Sequence, residues 1–427
     1  MIRRLIREDS SSQIAIANLL GFLLTFLAVP LMARAIGPSG RGEAAAALAA
    51  FAIAPALLGL GIPLEVQRRF AKGLDSPSLR AARDLVVLSI LPGAALGGLF
   101  VMTIYRDADV TLRTLAFLGL ALLAPVTVSW ATAAGAFFGQ GRYRAFGVLR
   151  IAHPAVTLLV MLLAVGFDAL DPATVLAANI AGTTVTGLLG YALSHTTWRG
   201  ARAPHAKLGR AGARYAGSAV AESASARLDQ VLVLPLIGAS AAGFYSIAAS
   251  VAMLPLALGH ALSATHFRAM AAAEVSQGDL VQLSRKAMRE AASTVIPVCA
   301  VFIYVAGEAI PVIFGQDFDS ATPVLWVLAP TSVAVALGYV ASMLLAAQGR
   351  GGTMTLLQGS GLLIGVVALV VLGPLWSEIG AAAASAVSYT AVLVGQMVAL
   401  RVRASDLLPT FGGFRSGVAS LLPARAT

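Results

Sequence analysis

Apolar runs of twenty or more residues recur along the whole chain, and this limits the fold more than any other feature of the sequence. From Gln13 to Ile36 the only charged side chain is Arg34. A helix needs roughly 20 residues to cross a hydrocarbon core about 30 Å thick. In lipid only helices and closed barrels satisfy their own backbone hydrogen bonds. A barrel would read as alternating segments of about ten residues, whereas these runs are continuous, so the expectation is an all-α membrane protein. Charged residues make up 12% of the chain, about half the usual share of a soluble domain. That leaves too little polar surface to face water, and the mean hydropathy of +0.84 agrees.

Hydropathy and helix breakers place about twelve spans, at 13–35, 43–67, 84–105, 112–138, 146–166, 173–197, 214–236, 241–268, 287–313, 322–347, 353–374 and 378–401. The first run is too long for the apolar core of a signal peptide and is read as an uncleaved helix. The formal charge of +10 suggests nucleic acid, but the positions of the cations argue against it. All Lys and Arg except Arg34, Arg41, Arg106, Arg113 and Arg227 fall on one side of the expected membrane. This is the positive-inside pattern, which puts both termini in the cytoplasm. Cys299 is the single cysteine, so an intramolecular disulfide is impossible.

An internal repeat organises the spans. Ile36-Gly37-Pro38-Ser39-Gly40-Arg41-Gly42 follows the first, and Ile237-Gly238-Ala239-Ser240-Ala241-Ala242-Gly243 follows the seventh. Gln140-Gly141-Arg142 follows the fourth, and Gln348-Gly349-Arg350 the tenth. Two such echoes at matching places imply duplication. Six helices per half is an even number, so both halves enter the membrane in the same sense, as in parallel-repeat transporters. The expected organisation is a cytoplasmic N-terminus (1–12), a six-helix lobe (13–197), a cytoplasmic linker (198–213), a second six-helix lobe (214–401) and a cytoplasmic tail (402–427). The two parallel lobes are expected to enclose a central cleft. Pro55, Pro63, Pro92, Pro125, Pro255, Pro297 and Pro330 fall inside spans and favour kinks. Gly93/Gly97, Gly135/Gly139 and Gly361/Gly365 are spaced for close helix packing.

Ionisable groups in hydrocarbon are costly, so they are the first candidates for function. Ser218, Glu222, Ser225 and Asp229 form one polar stripe on the seventh span, and Arg227 lies off it. Glu222 or Asp229 would bind a coupling proton or sodium ion, and Arg227 an anionic substrate; the competing reading is a buried structural ion pair. Arg150 and His153 open the fifth span, and the repeat places Gln358 opposite Arg150. A guanidinium suits phosphate through forked hydrogen bonds; otherwise it snorkels to the interface. His260 on the eighth span either titrates, binds phosphate or is simply hydrogen-bonded. Arg34 and Arg41 flank the first outer turn, where they would receive a departing anionic head group or help close an outer gate. No metal, nucleotide or nucleophile motif stands out, so no cofactor is expected beyond coupling to a proton or sodium gradient.

The turn Gly37-Pro38-Ser39-Gly40-Arg41-Gly42, the Arg227-Leu228-Asp229 segment with Gly238 and Ala242-Gly243-Phe244-Tyr245, and Ile313-Phe314-Gly315-Gln316-Asp317-Phe318 resemble bacterial polysaccharide flippases. These are the O-antigen and exopolysaccharide exporters of the multidrug/oligosaccharidyl-lipid/polysaccharide superfamily, and the resemblance runs from about residue 10 to 402. It implies a transporter rather than an enzyme. Such a transporter flips a polyprenyl-diphosphate-linked oligosaccharide from the inner to the outer leaflet of the bacterial cytoplasmic membrane by alternating access. The implied partners are that lipid-linked substrate, the bilayer, and a polysaccharide polymerase with other export proteins, and nucleic acid is not among them. Carried onto this sequence, Arg150 and Arg227 meet the diphosphate and Asp229 the coupling ion. The sparse deep cations depart from the family's cationic cavity. The chain also falls short of the fourteen helices of the related peptidoglycan-precursor flippases. The alternative is a multidrug exporter of the same superfamily, which would want an acidic or aromatic cavity.

Overall fold

The computed structural model describes residues 11–73, 76–196, 198–271 and 277–421. Helices run along the chain as α1 (Ser11–Gly59), α2 (Ile62–Phe70), α3 (Ser76–Leu88), α4 (Ile90–Thr103), α5 (Val110–Leu118), α6 (Ala124–Gly139), α7 (Tyr143–Gly166) and α8 (Pro172–Leu193). They continue as α9 (His205–Ile237), α10 (Ala239–Ala252), α11 (Leu256–Ala271), α12 (Gln277–Phe314), α13 (Ala321–Ala347), α14 (Gly351–Leu400) and α15 (Phe411–Leu421). The protein is an all-α membrane protein. Among the described residues, nine helical stretches are long and apolar enough to cross a membrane by length and composition. Two of the nine are broken inside: α1 at Gly37, and α14 at Trp376 and Ser377. Helix α9, expected as the seventh span, is not among the nine, and Glu222, Arg227 and Asp229 interrupt its apolar run.

The chain divides into two compact units, one ending at Pro235 and the other starting at Leu236. The division therefore falls at the far end of α9 instead of at the expected linker, 198–213. Packing explains this. Val231 is buried in the alanine-rich core of the first unit (Ala44, Ala46, Ala47, Ala49), and Leu228 and Leu234 pack against that core. Small residues bring helices close enough for dispersion to hold them where lipid offers no hydrophobic gain. The linker itself is pinned. Arg202 and His205 both engage the Asp84 carboxylate, at 2.5 and 2.9 Å, and the Ala203 N–H donates to the Pro77 carbonyl.

The expected close-packing glycines sit where a side chain would not fit. A Cβ at Gly93 would meet the Leu120 carbonyl at 2.8 Å, at Gly135 the Pro63 carbonyl at 2.7 Å, and at Gly365 the Ser388 Oγ at 2.9 Å. Prolines divide into two groups. Pro63 opens α2, Pro92 follows a break at Ser89, Pro125 follows a π turn at Gly119–Leu123, and Pro255 lies between α10 and α11. The missing N–H costs nothing in a first turn. Pro55, in the second segment of α1, and Pro297 and Pro330 lie inside helices.

The repeat echoes adopt matching backbones. Gly37 and Gly238 have φ 65° and 88°, and Gly141 and Gly349 have φ 73° and 72°, a region glycine enters without strain. After Gly141 the Arg142 N–H donates to the Phe137 carbonyl at 2.9 Å, and after Gly349 the Arg350 N–H donates to Leu345 at 2.9 Å. Each arginine then reaches forward to a distant carbonyl: Arg142 to Leu193 at 3.1 Å and Arg350 to Ala399 at 2.6 Å.

Candidate functional site: a polar pocket in the first unit

Arg150 and His153 are three residues apart on α7, so they share a helix face. That face packs against the first segment of α1, where Gly21 lets the backbones approach: a Cβ there would meet the Arg150 carbonyl at 3.0 Å. Arg150 Nε donates to Asn18 Oδ1 at 3.0 Å, and both side chains are exposed. A cavity of about 280 Å³ opens there, lined by Asn18, Thr25, Trp130, Arg150 and His153 among apolar neighbours. A second cavity of about 150 Å³ shares the Trp130 and His153 walls and continues toward Phe51, Thr127, Asn179 and Thr183. The π turn shapes this second space, since a side chain at Gly119 would collide with the Phe51 ring. π turns inside helices are frequent at functional sites. The indole Nε1–H of Trp130 is buried without a hydrogen-bond partner among the described residues.

The other sequence candidates are dispersed. Arg227 lies on α9 within Coulombic range of Arg41, which is 5% exposed and whose buried Nε has no hydrogen-bond partner among the described residues. Asp229 is partly buried and accepts the Gln230 backbone N–H at 2.8 Å. The Glu222 side chain lies outside the described residues, as does that of Ser218, so the polar stripe on α9 is only partly described. Arg34 is exposed on the first segment of α1. His260 belongs to the second unit, where its ring lies against Tyr339 with centroids 4.0 Å apart. The structure thus brings Arg150 and His153 together with Asn18 and Trp130, and it does not bring the whole candidate list to one place.

Trp130, Asn18, Asn179 and Thr183 were not singled out from the sequence. Asn18 and Asn179 carried a usable signal, because each is a carboxamide within an otherwise apolar span. Several cations beyond the spans hold the fold together. Arg83, 5% exposed, donates to the Thr196 carbonyl and Ser194 Oγ and lies over the Tyr191 ring.

A family model described as polysaccharide biosynthesis protein matches residues 9–264. Among solved structures, the lipid II flippase MurJ in an inward closed conformation aligns over 96% of this chain and 91% of its own, with TM-score 0.72 and 11% identity. An inward-facing multidrug resistance MATE family transporter of the MOP superfamily aligns over 92% and 98%, with TM-score 0.67 and 16% identity. A MOP superfamily transporter from Pyrococcus furiosus, whose binding pocket is described as reversed in polarity, aligns over 96% of both chains with TM-score 0.56 and 15% identity. At these identities the structures establish the fold. No curated protein matches the sequence.

Proposed function

The chain belongs to the polysaccharide biosynthesis protein family, and from that premise we propose that it carries a polyprenyl-diphosphate-linked oligosaccharide from the inner to the outer leaflet of the bacterial cytoplasmic membrane. The observation that carries this reading is the Arg150 pocket. A guanidinium held by Asn18 inside a transmembrane helix, beside a cavity, is expensive unless an anion meets it. A diphosphate matches its forked donors. A cationic drug would want carboxylates, and the described lining of both cavities has none, which favours this reading over a multidrug exporter.

In the proposed cycle, two six-helix halves, twelve spans in all, expose the substrate to each side in turn while the lipid tail stays in the bilayer. Arg150 takes the diphosphate on the cytoplasmic side, Arg227 holds it deeper, and Arg34 meets it on the outer side. His260 is a further contact. Glu222 and Asp229 couple the cycle to a proton or sodium gradient. Both termini lie in the cytoplasm, and a polysaccharide polymerase with other export proteins takes up the product. The test is reconstitution in vesicles loaded with a polyprenyl-diphosphate-linked sugar. The sugar should become accessible to a membrane-impermeant lectin at a rate set by the protein. A correctly inserted protein that moves an organic cation and leaves the sugar lipid where it began would refute the proposal.

A further inference from the structure

We propose that the second unit holds a site for the phosphate head group of an anionic membrane lipid, formed by Arg350 and Arg401 at the turn between α13 and α14. The ligand is a resident lipid of the bilayer and not the cargo, so the proposal stands or falls independently of the transport reading above.

Three observations lead there. First, a cavity of about 360 Å³ opens at that turn, and its charged lining is cationic: Arg350 and Arg401 line it with Gln348, Leu280, Val281 and Ala399. Two guanidiniums in one cavity repel each other, and a phosphate ester meets both through forked hydrogen bonds. Nearby carboxylates do not serve them. Asp406 is committed to Arg289 at 2.5 Å, to Arg285 at 3.7 Å and to the Arg403 backbone N–H at 3.0 Å, and Asp279 is exposed outside the described lining. Arg401 also ends α14 in the left-handed conformation, with φ 57°, a place usually given to glycine. Second, the first unit fills the matching place with rings. There Arg142 lies over Phe137 at 4.8 Å, and Arg83 lies over Tyr191 at 4.6 Å and Trp198 at 5.8 Å. In the second unit Leu345 stands at the match of Phe137, and residues 390–410 contain no aromatic side chain. Arg350 keeps the bond to a distant carbonyl, Ala399 at 2.6 Å, but open space replaces the rings. Third, the surroundings suit the depth of lipid head groups. Helix α15 packs on α12 through Gly413 and Gly417 and leaves Phe411, Phe414 and Val418 exposed at i, i+3 and i+7, beside an exposed Arg415. An apolar stripe bordered by a cation is the pattern of a helix lying in the membrane interface. Basic pockets between helix ends at that level bind anionic head groups, and Leu280 and Val281 give the cavity an apolar wall for the start of the acyl chains.

The experiment is native mass spectrometry of the full-length protein in detergent, titrated with phosphatidylglycerol and phosphatidylcholine at equal concentrations. The readout is the preference for the anionic lipid over the zwitterionic one, and the wild type should show it. Arg401→Asn removes the charge with a residue that accepts the left-handed conformation. It should cut the preference about tenfold, the scale of a lost charge-assisted hydrogen bond. Arg350→Gln should do the same, and a melting temperature taken alongside separates lost binding from lost folding, since this variant also gives up the Ala399 bond. Lys286→Gln removes an equal charge from an exposed position outside the described lining and should lose far less. Inorganic phosphate at the lipid's concentration should not displace it, because a free anion gains nothing from the apolar wall. No preference in the wild type, a preference intact in Arg401→Asn, or equal losses in Arg401→Asn and Lys286→Gln would overturn the site, the last by showing a diffuse basic surface. Displacement by inorganic phosphate would overturn the assignment to a lipid.

Discussion

In the first unit, α6, α7 and α8 place Trp130, Arg150, His153, Asn179 and Thr183 around two cavities that share Trp130 and His153. At the positions matched by the Gln140–Gln348 register, the second unit has Gly338, Gln358, Gly361, Val387 and Ala391. At Gly361, the match of His153, the second unit is tightly packed. Ser388 Oγ donates to the Gly361 carbonyl at 2.7 Å, and a methyl on Gly361 would run into Val392. The scaffolding devices, by contrast, recur in both units: paired positive-φ glycines and an arginine reaching to the far helix's carbonyl. A duplicated fold keeps the groups that define its turns and is free to lose pocket chemistry from one copy. The matched positions thus differ in polarity and packing, while the turns and the arginine contacts are shared.

The largest test of this asymmetry is a pair of substitutions at matched positions. Arg150→Ala should lower transport of a sugar lipid about tenfold, the scale of losing one charge-assisted hydrogen bond. Gln358→Ala should change it less than about threefold. Equal losses in a vesicle transport assay would erase the distinction between the units. Next in size, Gly361→Ala should destabilise the protein by about 1–3 kcal/mol through overpacking, measured as a lower melting temperature in detergent with no selective effect on substrate affinity. An unchanged melting temperature would mean that this part of the second unit is looser than described.

The smallest effect concerns the tail. Burial alone would raise the Asp406 carboxyl, but the Arg403 backbone N–H and the Arg289 guanidinium outweigh it and hold the carboxyl below its ordinary value. Arg289 reaches it at 2.5 Å. A depressed folded-state value stabilises the protein at neutral pH, and that contribution fades as pH falls below the unfolded value of about 3.9. Amide protection in α15, which follows Asp406 and packs on α12 through Gly413 and Gly417, should therefore weaken below about pH 4. Asp406→Asn should show the weakened protection already at pH 7. Hydrogen exchange that ignores both changes would show that α15 docks by packing alone.

Much of this fold was legible because lipid makes the signal local. Each apolar run had to become a helix, Gly93, Gly135 and Gly365 had to admit a neighbour, and the turn at Gly141 had to reappear at Gly349. The tail was read only as polar, because α15 is short and its role depends on glycines meeting Ser293 and Thr294 of α12. Helix α3 begins at Ser76, well before the expected 84, because Leu79, Ala81 and Ala82 bury against Val66, Phe70 and Leu208 in a small cluster no hydropathy window detects. In the pocket, Arg150 stood out as a charge in an apolar run. Trp130 did not, since a lone tryptophan in a span looks like any other apolar residue. Only the packing of α6 against α7 and α8 shows that its N–H is buried, with no partner among the described residues.

The most direct measurement is photo-crosslinking of a polyprenyl-diphosphate-linked sugar whose hexose carries a diazirine, followed by peptide mapping. The account predicts labels on α1, α6 and α7 around the Arg150 pocket, weakened in Arg150→Ala and competed by unlabelled sugar lipid. Labels confined to residues 351–400, or spread evenly over both units, would contradict it.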